Sequence, residues 1–278
     1  MPEHYEVKRI ANYLIDSGIL NQTLQGVAFK NKGERIIANS SVNQLTNLFL
    51  NNRLLNIAVK GKYTGFEFEF GTVVIHYRFT GIPHIQGRSY EDRLYTIFSL
   101  PINYKNDDHC RFTWRFNNLT LDFYDTRCLS KLYVYPNKLF SQTTHYQELA
   151  TDLSLQSFLT YQDVCKLYGK RRITIKQWLL DQKIIPSGLG NYLACEVLVR
   201  ANIYPFLPMA SLSQSQYQQL LLVFKDVHQL ASLHADYTWF ILFNKQRCGV
   251  CNAKVIKTKY PRFSQTTHYC PTCQHINK

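Results

Sequence analysis

The chain has 278 residues, of which 45% are hydrophobic and 18% charged, and its formal net charge is +13. This composition supplies a hydrophobic core and excludes an intrinsically disordered chain, and no apolar run approaches the ~20 residues of a membrane span. Because the amino terminus lacks the apolar stretch of a secretory signal, and a basic surface gains entropy by displacing counterions from phosphate, we expect a soluble, intracellular protein that binds nucleic acid.

The first half of the chain predicts one helix followed by a β-rich domain. Residues 5–18 carry apolar side chains near helical spacing and end at Gly18. From about residue 23 to 135, short β-rich runs alternate with turns, which is typical of a sandwich or barrel, and 43–55 predicts an intervening helix. The β-rich runs are YTGFEFEF, TVVIHYRF, LYTIFSL, CRFTWRF, LTLDFY and KLYVYP.

The second half predicts helices and then a small basic hairpin, with a linker expected near 136–148. A glycine-rich turn containing Gly188 and Gly190 opens a helix at Asn191. The backbone N–H groups at such a terminus bind phosphate, and the KRR at 170–172 favours this interpretation over an ordinary capped helix. The helical patterns cover 148–168, 174–185, 191–203 and 213–233. The heptapeptide FSQTTHY occurs at both 140–146 and 263–269.

Four of the eight cysteines form two CxxC pairs, CGVC at 248–251 and CPTC at 270–273. Four thiolates on two tight turns can close a tetrahedron about Zn²⁺ with no open position for water. Redox-active CxxC pairs are the alternative, but they need a βαβ context that this tail lacks. We therefore predict one structural Zn²⁺, held by Cys248, Cys251, Cys270 and Cys273. From Lys245 onward the tail is basic without any acidic residue, either to contact phosphate or merely to stay soluble.

Three separated segments resemble the formamidopyrimidine-DNA glycosylase/endonuclease VIII family. The start MPEHYEVKRI is similar to the family's MPE-x-x-EV start, DQKIIPSGLGNYLACE to its helix–two-turn–helix, and CGVC…THYCPTCQ to its zinc finger. Weaker matches lie between them. KGKY at 60–63 resembles the family's basic β-loop, IHYRFTG at 75–81 its HLGMSG strand, and DTRCL at 125–129 its DPRRF segment.

The resemblance spans nearly the whole chain and implies an α+β multidomain fold. Its expected parts are an N-terminal catalytic β-sandwich domain with an N-terminal helix over 1–140, a helix–two-turn–helix DNA-binding domain over 148–236 and a zinc-finger β-hairpin over 237–278. The implied function is that of a DNA base-excision repair glycosylase that removes oxidised bases and has AP lyase activity. The implied partner is damaged double-stranded DNA, bound by a monomer without membrane attachment, in the cytoplasm and nucleoid or in a eukaryotic nucleus.

The amino terminus supports this chemistry in its own right. Removal of the initiator methionine leaves Pro2 as a secondary amine, and α-amines have a near-neutral pKa. Attack on the sugar C1′ gives an iminium ion, which acidifies C2′ and lets the 3′-phosphate leave by β-elimination. By resemblance, Pro2 is the Schiff-base nucleophile, Glu3 the proton donor and Lys62 the β-loop lysine that assists elimination. Taken alone, without the other motifs, Pro2 and Glu3 are more typical of a disordered terminus.

Residues for DNA binding also follow from the resemblance. A base must be extruded from the duplex before it can be attacked, and side chains then fill the gap in the stack. The family's Met, Arg and Phe wedge corresponds here to Phe79, Arg127 and Leu129. Phosphate contacts are implied for the residues aligned with the family's other DNA-binding positions, although the histidine among them is also typical of a packed strand. These residues are His76, Arg171, Asn191 and, in the hairpin, Gln265.

Several positions depart from the family pattern. Gln265 stands where the family has a cationic arginine that helps the second, δ-elimination. Arg78 replaces a glycine and Tyr5 a proline or similar residue, while the two-turn has one extra residue and the segment before Cys248 is short. These differences motivate an alternative of a different class, a catalytically impaired DNA-damage or abasic-site binding protein on the same scaffold. A zinc-ribbon transcription or RNA-binding protein would explain the tail but not the start.

Overall fold

The computed structural model describes residues 2–89, 104–150, 159–183, 187–259 and 265–274. The chain divides into two compact units, residues 1–149 and 150–278. The first unit is built mainly from β-strands and the second mainly from α-helices. Among the described residues, no helix combines the length and the apolarity that crossing a bilayer requires.

The first unit is a sandwich of two four-stranded antiparallel sheets. One sheet has the order β1-β6-β7-β5 and is built from β1 (Leu24–Phe29), β6 (Cys110–Phe116), β7 (Thr120–Asp125) and β5 (Gly81–Ile85). The other has the order β2-β3-β4-β8 and is built from β2 (Leu54–Lys60), β3 (Tyr63–Phe68), β4 (Gly71–His76) and β8 (Lys131–Pro136). The α-helices among the described residues of this unit are α1 (His4–Asp16), α2 (Val42–Phe49) and α3 (Thr144–Gln147).

Aromatic side chains on the inner faces of the sheets form the core of this unit. Phe66 and Phe68 of β3 project inward at alternate positions, and their rings meet the edge of Trp114 of β6 at centroid distances of 5.5 and 5.9 Å. The outer face of β3 is covered too, because Phe140 packs on Gly65. A Cβ atom at Gly65 would lie 2.4 Å from the Phe140 ring, so this close approach requires glycine.

The second unit is helical and ends in a short hairpin. Its helices are α4 (Tyr161–Tyr168), α5 (Ile175–Leu179), α6 (Asn191–Arg200) and α7 (Gln214–Leu233). Thr160, Thr174 and Ser213 cap α4, α5 and α7 with their hydroxyl groups, as expected for residues that satisfy the first backbone N–H groups of a helix. The hairpin pairs β9 (Ile256–Thr258) with β10 (Thr267–Tyr269).

The predicted fold class is confirmed. The chain forms a β-sandwich with an N-terminal helix, followed by a helical part and a C-terminal hairpin region that carries the four cysteines. The helix predicted over 43–55 is wrong beyond Phe49, because the chain turns at Asn51, which has φ +63°, and residues 54–60 form β2. The helix predicted over 174–185 ends at Leu179 among the described residues. Strands β1 and β5 were not predicted, and LYTIFSL lies outside the described residues.

Candidate active site and four-cysteine centre

Pro2, Glu3 and His4 are buried at the start of α1. Glu3 is the N-cap of the helix, and its backbone N–H donates to the Glu6 carboxylate over 2.6 Å. The Nδ1 atom of His4 hydrogen-bonds the carbonyl oxygen of Gly61 at 3.1 Å, which fastens α1 to the turn between β2 and β3. The amino-terminal residues are therefore built into the first unit, and the alternative of a disordered terminus is wrong.

Lys62 lies in this same turn and is 7% exposed. Burial lowers the pKa of Lys62, while the negative charges of Glu3 and Glu6 act in the opposite direction. The structure therefore brings Lys62 within electrostatic range of Glu3. A lysine whose pKa is lowered can accept and return a proton near neutral pH more readily than a surface lysine.

His76 ends β4 and is 6% exposed. Burial, followed by the positive charges of Arg78, Lys62 and His145, lowers the pKa of His76 to about 3. Its ring lies 4.6 Å from the Tyr63 ring, and its Nδ1 atom has no hydrogen-bond partner in the described part of the chain. The imidazole is thus neutral at neutral pH and keeps hydrogen-bonding capacity for a ligand.

Phe79, Arg127 and Leu129 lie on two loops of the first unit. Phe79 is on the loop from β4 to β5, whereas Arg127 and Leu129 are on the loop from β7 to β8. Phe79 and Leu129 are 41% and 42% exposed. The guanidinium of Arg127 lies 6.0 Å from the centre of the Phe79 ring, within reach of a cation–π contact. These three residues thus combine two exposed apolar side chains with one cation, and their role as a wedge stays a prediction.

Asp125, fully buried at the end of β7, joins these two loops. Its carboxylate accepts hydrogen bonds from the hydroxyl of Thr80 and from the backbone N–H groups of Arg127, Leu129 and Ser130, the last two at 2.8 Å. Thr80 belongs to the first loop and the other donors to the second. Asp125 was not among the predicted site residues. Its only signal in the sequence is its position at the start of DTRCL, directly before the loop that carries Arg127.

Asn191 and Gln265 lie near each other in the second unit, because the Nδ2 of Asn191 donates to the carbonyl oxygen of Thr266 at 2.9 Å. Asn191 is the first residue of α6 and Thr266 precedes β10. Among the described residues, neither Asn191 Oδ1 nor Gln265 Oε1, both buried, has a hydrogen-bond partner. Arg171 stands exposed on the loop between α4 and α5, with its guanidinium 5.5 Å from the Tyr168 ring.

The four tail cysteines converge on one point. Their Sγ atoms all lie within 4.8 Å of one another, with 3.9 Å between Cys248 and Cys273 and 3.4 Å between Cys251 and Cys270. A tetrahedral ion with metal–sulfur bonds of about 2.3 Å needs neighbouring sulfur atoms about 3.8 Å apart. The donor set and its spacing therefore fit a four-cysteine metal site without room for a further ligand.

This metal site shares a hydrophobic core with α6. Cys248 and Cys270 pack with Cys195 and Val199 of that helix. Gln274 accepts from the backbone N–H of Cys270 at 2.8 Å and donates to the carbonyl oxygen of Ile203 at 2.9 Å. The second CxxC turn is therefore held against the helical part of the unit rather than standing alone.

Two buried charged residues, neither of them predicted, hold the surroundings of Asn191 in place. The Glu196 carboxylate of α6 accepts the backbone N–H groups of residues 241–243 at 2.7 to 3.0 Å and pairs with Arg200. Lys176 of α5, which is 0% exposed, donates to Thr267 Oγ1 at 2.8 Å. These bonds join α6, which begins at Asn191, to residues 241–243, and they join α5 to β10, which follows Thr266.

Two family models match most of this sequence. The model of the formamidopyrimidine-DNA glycosylase N-terminal domain matches residues 1–132, and that of the formamidopyrimidine-DNA glycosylase H2TH domain matches residues 149–236. The formamidopyrimidine-DNA glycosylase of Ureaplasma parvum is 25% identical over 298 residues, covering 99% of this chain and 100% of its own. That of Carboxydothermus hydrogenoformans is 26% identical over 296 residues, with the same coverage.

Solved structures show the same fold. The Lactococcus lactis formamidopyrimidine-DNA glycosylase bound non-covalently to DNA containing an AP site superposes with a TM-score of 0.78 at 22% identity, covering 99% of this chain and 100% of the other. Its complex with DNA containing an abasic site gives 0.79 at 21% identity, with the same coverage. By its two domain matches, its full-length relatives and its fold, the chain belongs to the formamidopyrimidine-DNA glycosylase/endonuclease VIII family.

Proposed function

We propose that this enzyme removes oxidised bases from damaged double-stranded DNA through attack by the Pro2 amine, and then cleaves the abasic site. Family membership makes the chain a base-excision DNA glycosylase with AP lyase activity. The observation that carries the assignment of residues is the buried start of α1, where Pro2 and Glu3 are fastened beside the turn that contains Lys62.

In this mechanism the nitrogen of Pro2 attacks C1′ of the damaged nucleotide and loses its proton. The bond from C1′ to the base breaks, and the base leaves with the bonding electron pair and takes up a proton. A proton from Glu3 to the ring oxygen O4′ opens the deoxyribose, and the electron pair of nitrogen forms the C1′ iminium. The iminium makes the C2′ proton acidic. Its removal drives the 3′-phosphate out by β-elimination, and water then releases the unsaturated aldehyde from Pro2.

Lys62 assists these proton transfers because burial lowers its pKa. An amine of lowered pKa gives up its proton more readily than a surface lysine, and it can then take a proton from the substrate and return it to a leaving group. The neighbouring carboxylates Glu3 and Glu6 keep the ammonium form accessible, because their negative charge stabilises it. In this proposal Glu3 is the proton donor, and Lys62, within electrostatic range of Glu3, is the proton acceptor.

DNA binding divides between a wedge and phosphate contacts. Phe79, Arg127 and Leu129 fill the gap that the extruded nucleotide leaves in the stack. His76, Asn191 and Gln265 contact phosphate through neutral groups, whereas Arg171 supplies a charge. The neutrality of His76 follows from its burial, and a neutral imidazole N–H still donates to a phosphate oxygen.

The metal of the four-cysteine site is Zn²⁺, in a structural role. Four sulfur ligands leave no position for water, and thiolate ligands at tetrahedral spacing suit zinc. The ion would be held by Cys248, Cys251, Cys270 and Cys273 and would keep β9 and β10 in place beside Asn191. We further propose that the enzyme works as a monomer where its DNA is, in the cytoplasm and nucleoid or in a nucleus.

The alternative of a catalytically impaired binding protein is not favoured. Its motivation was the set of departures at Gln265 and in the strand motifs, and none of these touches Pro2, Glu3 or Lys62. A protein that only bound damage would have no reason to bury a proline, a glutamate and a lysine of lowered pKa at one point.

The decisive experiment is borohydride trapping on a duplex with one abasic site. Reduction of the iminium joins protein and DNA covalently, and mass spectrometry of the digested adduct should locate the sugar on the peptide that begins with Pro2. A preparation whose amino terminus is acetylated keeps the fold and cannot form the iminium, so it should give no adduct. Binding without any adduct, or an adduct on a lysine, would contradict the role of Pro2.

A further inference from the structure

Arg78 adopts a backbone conformation that its side chain disfavours. Its φ angle is +55°, in the left-handed region that glycine occupies freely and that a β-carbon makes unfavourable. The resembling family motif has glycine at this position. A residue held in such a conformation where glycine would serve the fold better is a candidate for a functional role of its side chain.

The fold of this loop does not depend on the Arg78 side chain. The loop is closed by the bond from the Gly81 N–H to the Tyr77 carbonyl oxygen at 3.0 Å and by the bond from Thr80 to Asp125. Arg78 itself is exposed, and the described residues offer it no carboxylate partner. The guanidinium is thus available to a ligand.

The surroundings of Arg78 indicate which ligand it meets. Along the chain it lies between His76 and the exposed ring of Phe79. Its positive charge helps burial to lower the pKa of His76, and it opposes the rise that burial causes in the pKa of Tyr63. A guanidinium in a rigid turn presents a fork of N–H donors that matches the oxygens of a phosphate. Because His76 is neutral, Arg78 is the nearest residue in sequence that can supply a full positive charge beside it.

We propose that Arg78 binds a backbone phosphate of the DNA strand next to the wedge, a contact additional to that of His76. This inference rests on the proposed function, since it assumes that the loop of Phe79 enters DNA. The left-handed backbone of Arg78 then turns the side chain away from the core and toward the strand. The phosphate contact then compensates in the complex for the unfavourable φ of Arg78.

The test compares Arg78→Gln with Arg115→Gln, which removes the same charge elsewhere. Arg115 is also exposed. It lies on β6 opposite Thr120, the first residue of β7, whereas Asp125 and the loops of the wedge lie at the other end of β7. Affinity for a duplex containing a stable abasic-site analogue is measured at several salt concentrations. Loss of one phosphate contact should weaken binding by about five- to tenfold at 0.1 M salt and lower the slope of log K against log salt by about 0.9.

The variant Arg78→Gly distinguishes a contact with DNA from a purely structural role of the side chain. Glycine relieves the left-handed backbone, so the melting temperature should rise while DNA affinity falls as in Arg78→Gln. Arg78→Lys should retain the salt slope. Equal binding by Arg78→Gln and Arg115→Gln would overturn the inference, and so would full affinity in Arg78→Gly.

Failure of the inference is distinct from failure of the proposed function. If the wild-type protein neither binds the abasic duplex nor forms the borohydride adduct, the proposed function is wrong, and the proposed contact of Arg78 is then wrong as well. If the wild type binds and is trapped while Arg78→Gln behaves the same, only the Arg78 contact is wrong. An effect of Arg78→Gln on an acidic peptide but not on DNA would assign the residue to a protein partner and would also overturn the proposal.

Discussion

The hydroxyl of Thr80 donates a hydrogen bond to the carboxylate of Asp125, across 45 positions of sequence. Asp125 is 0% exposed, and its two oxygens also accept the N–H groups of Arg127, Leu129 and Ser130. One buried carboxylate therefore determines where both loops of the proposed wedge lie. Because hydrogen bonds to a buried carboxylate are among the stronger ones, Asp125 couples the positions of the two loops.

Replacing Thr80 with valine should uncouple the wedge without removing any residue that meets DNA. The hydrogen bond to Asp125 is lost and the side-chain volume is kept, so we expect the excision of a damaged base from duplex DNA to slow by about tenfold or more. Cleavage of an abasic site in single-stranded DNA should be unchanged, because no base has to be extruded there. Single-turnover rates on the two substrates measure the difference.

Thr113→Val is the matched control for this prediction. Thr113 donates to Asp122 at 2.6 Å on β6 and β7, which is the same pair of residue types away from both loops. Both variants should lose about 1–3 kcal/mol of stability, but only Thr80→Val should slow excision. Equal rates in the two variants would show that Asp125 serves the stability of the sandwich and not the wedge.

Glu3→Gln should separate the two activities. Opening of an intact nucleotide needs a proton on the ring oxygen, which an amide cannot supply, so base excision should fall by about 10²-fold or more. An abasic sugar already exists partly in the open aldehyde form, so its trapping by Pro2 should remain within a few-fold of wild type. Borohydride adduct yields on a damaged duplex and on an abasic duplex give the two numbers. A parallel loss on both substrates would mean that Glu3 only supports the start of α1.

The buried His76 should make the protein less stable in mild acid. Its pKa is about 3 in the folded state and about 6.5 when unfolded. Between these values the unfolded chain binds a proton that the folded chain does not, so stability falls as pH decreases below 6.5, by up to about 1.4 kcal/mol per pH unit. Above pH 6.5 this group contributes no pH dependence.

His76→Gln removes the titrating ring and should flatten the fall by about the same amount per pH unit. Urea unfolding of both proteins at pH 7, 6 and 5 measures the difference. Because the ring is neutral throughout, the salt dependence of DNA binding should be the same at pH 6 and pH 8. A steeper salt dependence at pH 6, lost in His76→Gln, would mean that the bound histidine is charged.

The sequence predicts the order of elements well and the connections between them poorly. Strands such as β6 and β8 are visible because buried and more exposed residues alternate along β8 and, from Phe112 onward, along β6. The end of α2 before Asn51 is not visible in the sequence, because the apolar residues of 43–55 keep a helical spacing throughout. In the structure the chain turns at Asn51 and β2 begins at Leu54. The repeated FSQTTHY shows the reason most directly. Its copy at 140–146 forms short helical turns, whereas in the copy at 263–269 the last three residues are β10.

Tertiary contacts decide between these two conformations. In the first copy Phe140 packs on Gly65 and His145 hydrogen-bonds Tyr135, so the segment lies across a sheet. In the second copy the hydroxyl oxygen of Thr267 accepts a hydrogen bond from the buried Lys176, and β10 pairs with β9. The site follows the same rule. Residues close to a recognisable motif, such as Glu3 and the four cysteines, are predictable, whereas Asp125 becomes evident only when both of its loops are in place.

Cys270→Ser should release the metal and damage the second unit. Cys270 is 0% exposed and belongs to the core that includes Val199, so its loss removes both a ligand and the support of β10 beside Asn191. We expect the zinc content to fall from one ion per chain to none, and DNA affinity to fall by at least about tenfold. Cys165→Ser, at an exposed cysteine on α4, should keep both. Absence of zinc from the intact protein would refute the metal assignment.

The lyase should stop mainly after the first elimination, because Gln265 is neutral. The second, δ-elimination expels the 5′-side phosphate, and a cation beside that phosphate stabilises the charge that develops on it. An amide offers one hydrogen bond at most, which is weaker than a charge-assisted bond. Denaturing gels should therefore show mostly the unsaturated-aldehyde end, with the 3′-phosphate end appearing at least about tenfold more slowly.

Gln265→Arg tests whether position 265 is responsible. Thr266, the residue after position 265, accepts a hydrogen bond from Asn191 through its backbone carbonyl oxygen. The backbone beside position 265 is therefore held in place, and a longer side chain can extend from it. The variant should raise the share of the δ product several-fold while the rate of the first elimination stays the same, because Pro2 and Lys62 lie in the other unit. Gln265→Glu is the converse control, since a negative charge should suppress the δ product further. If the wild-type enzyme completes both eliminations at the same rate, another cation serves the second step, and the role transferred to position 265 by resemblance is wrong.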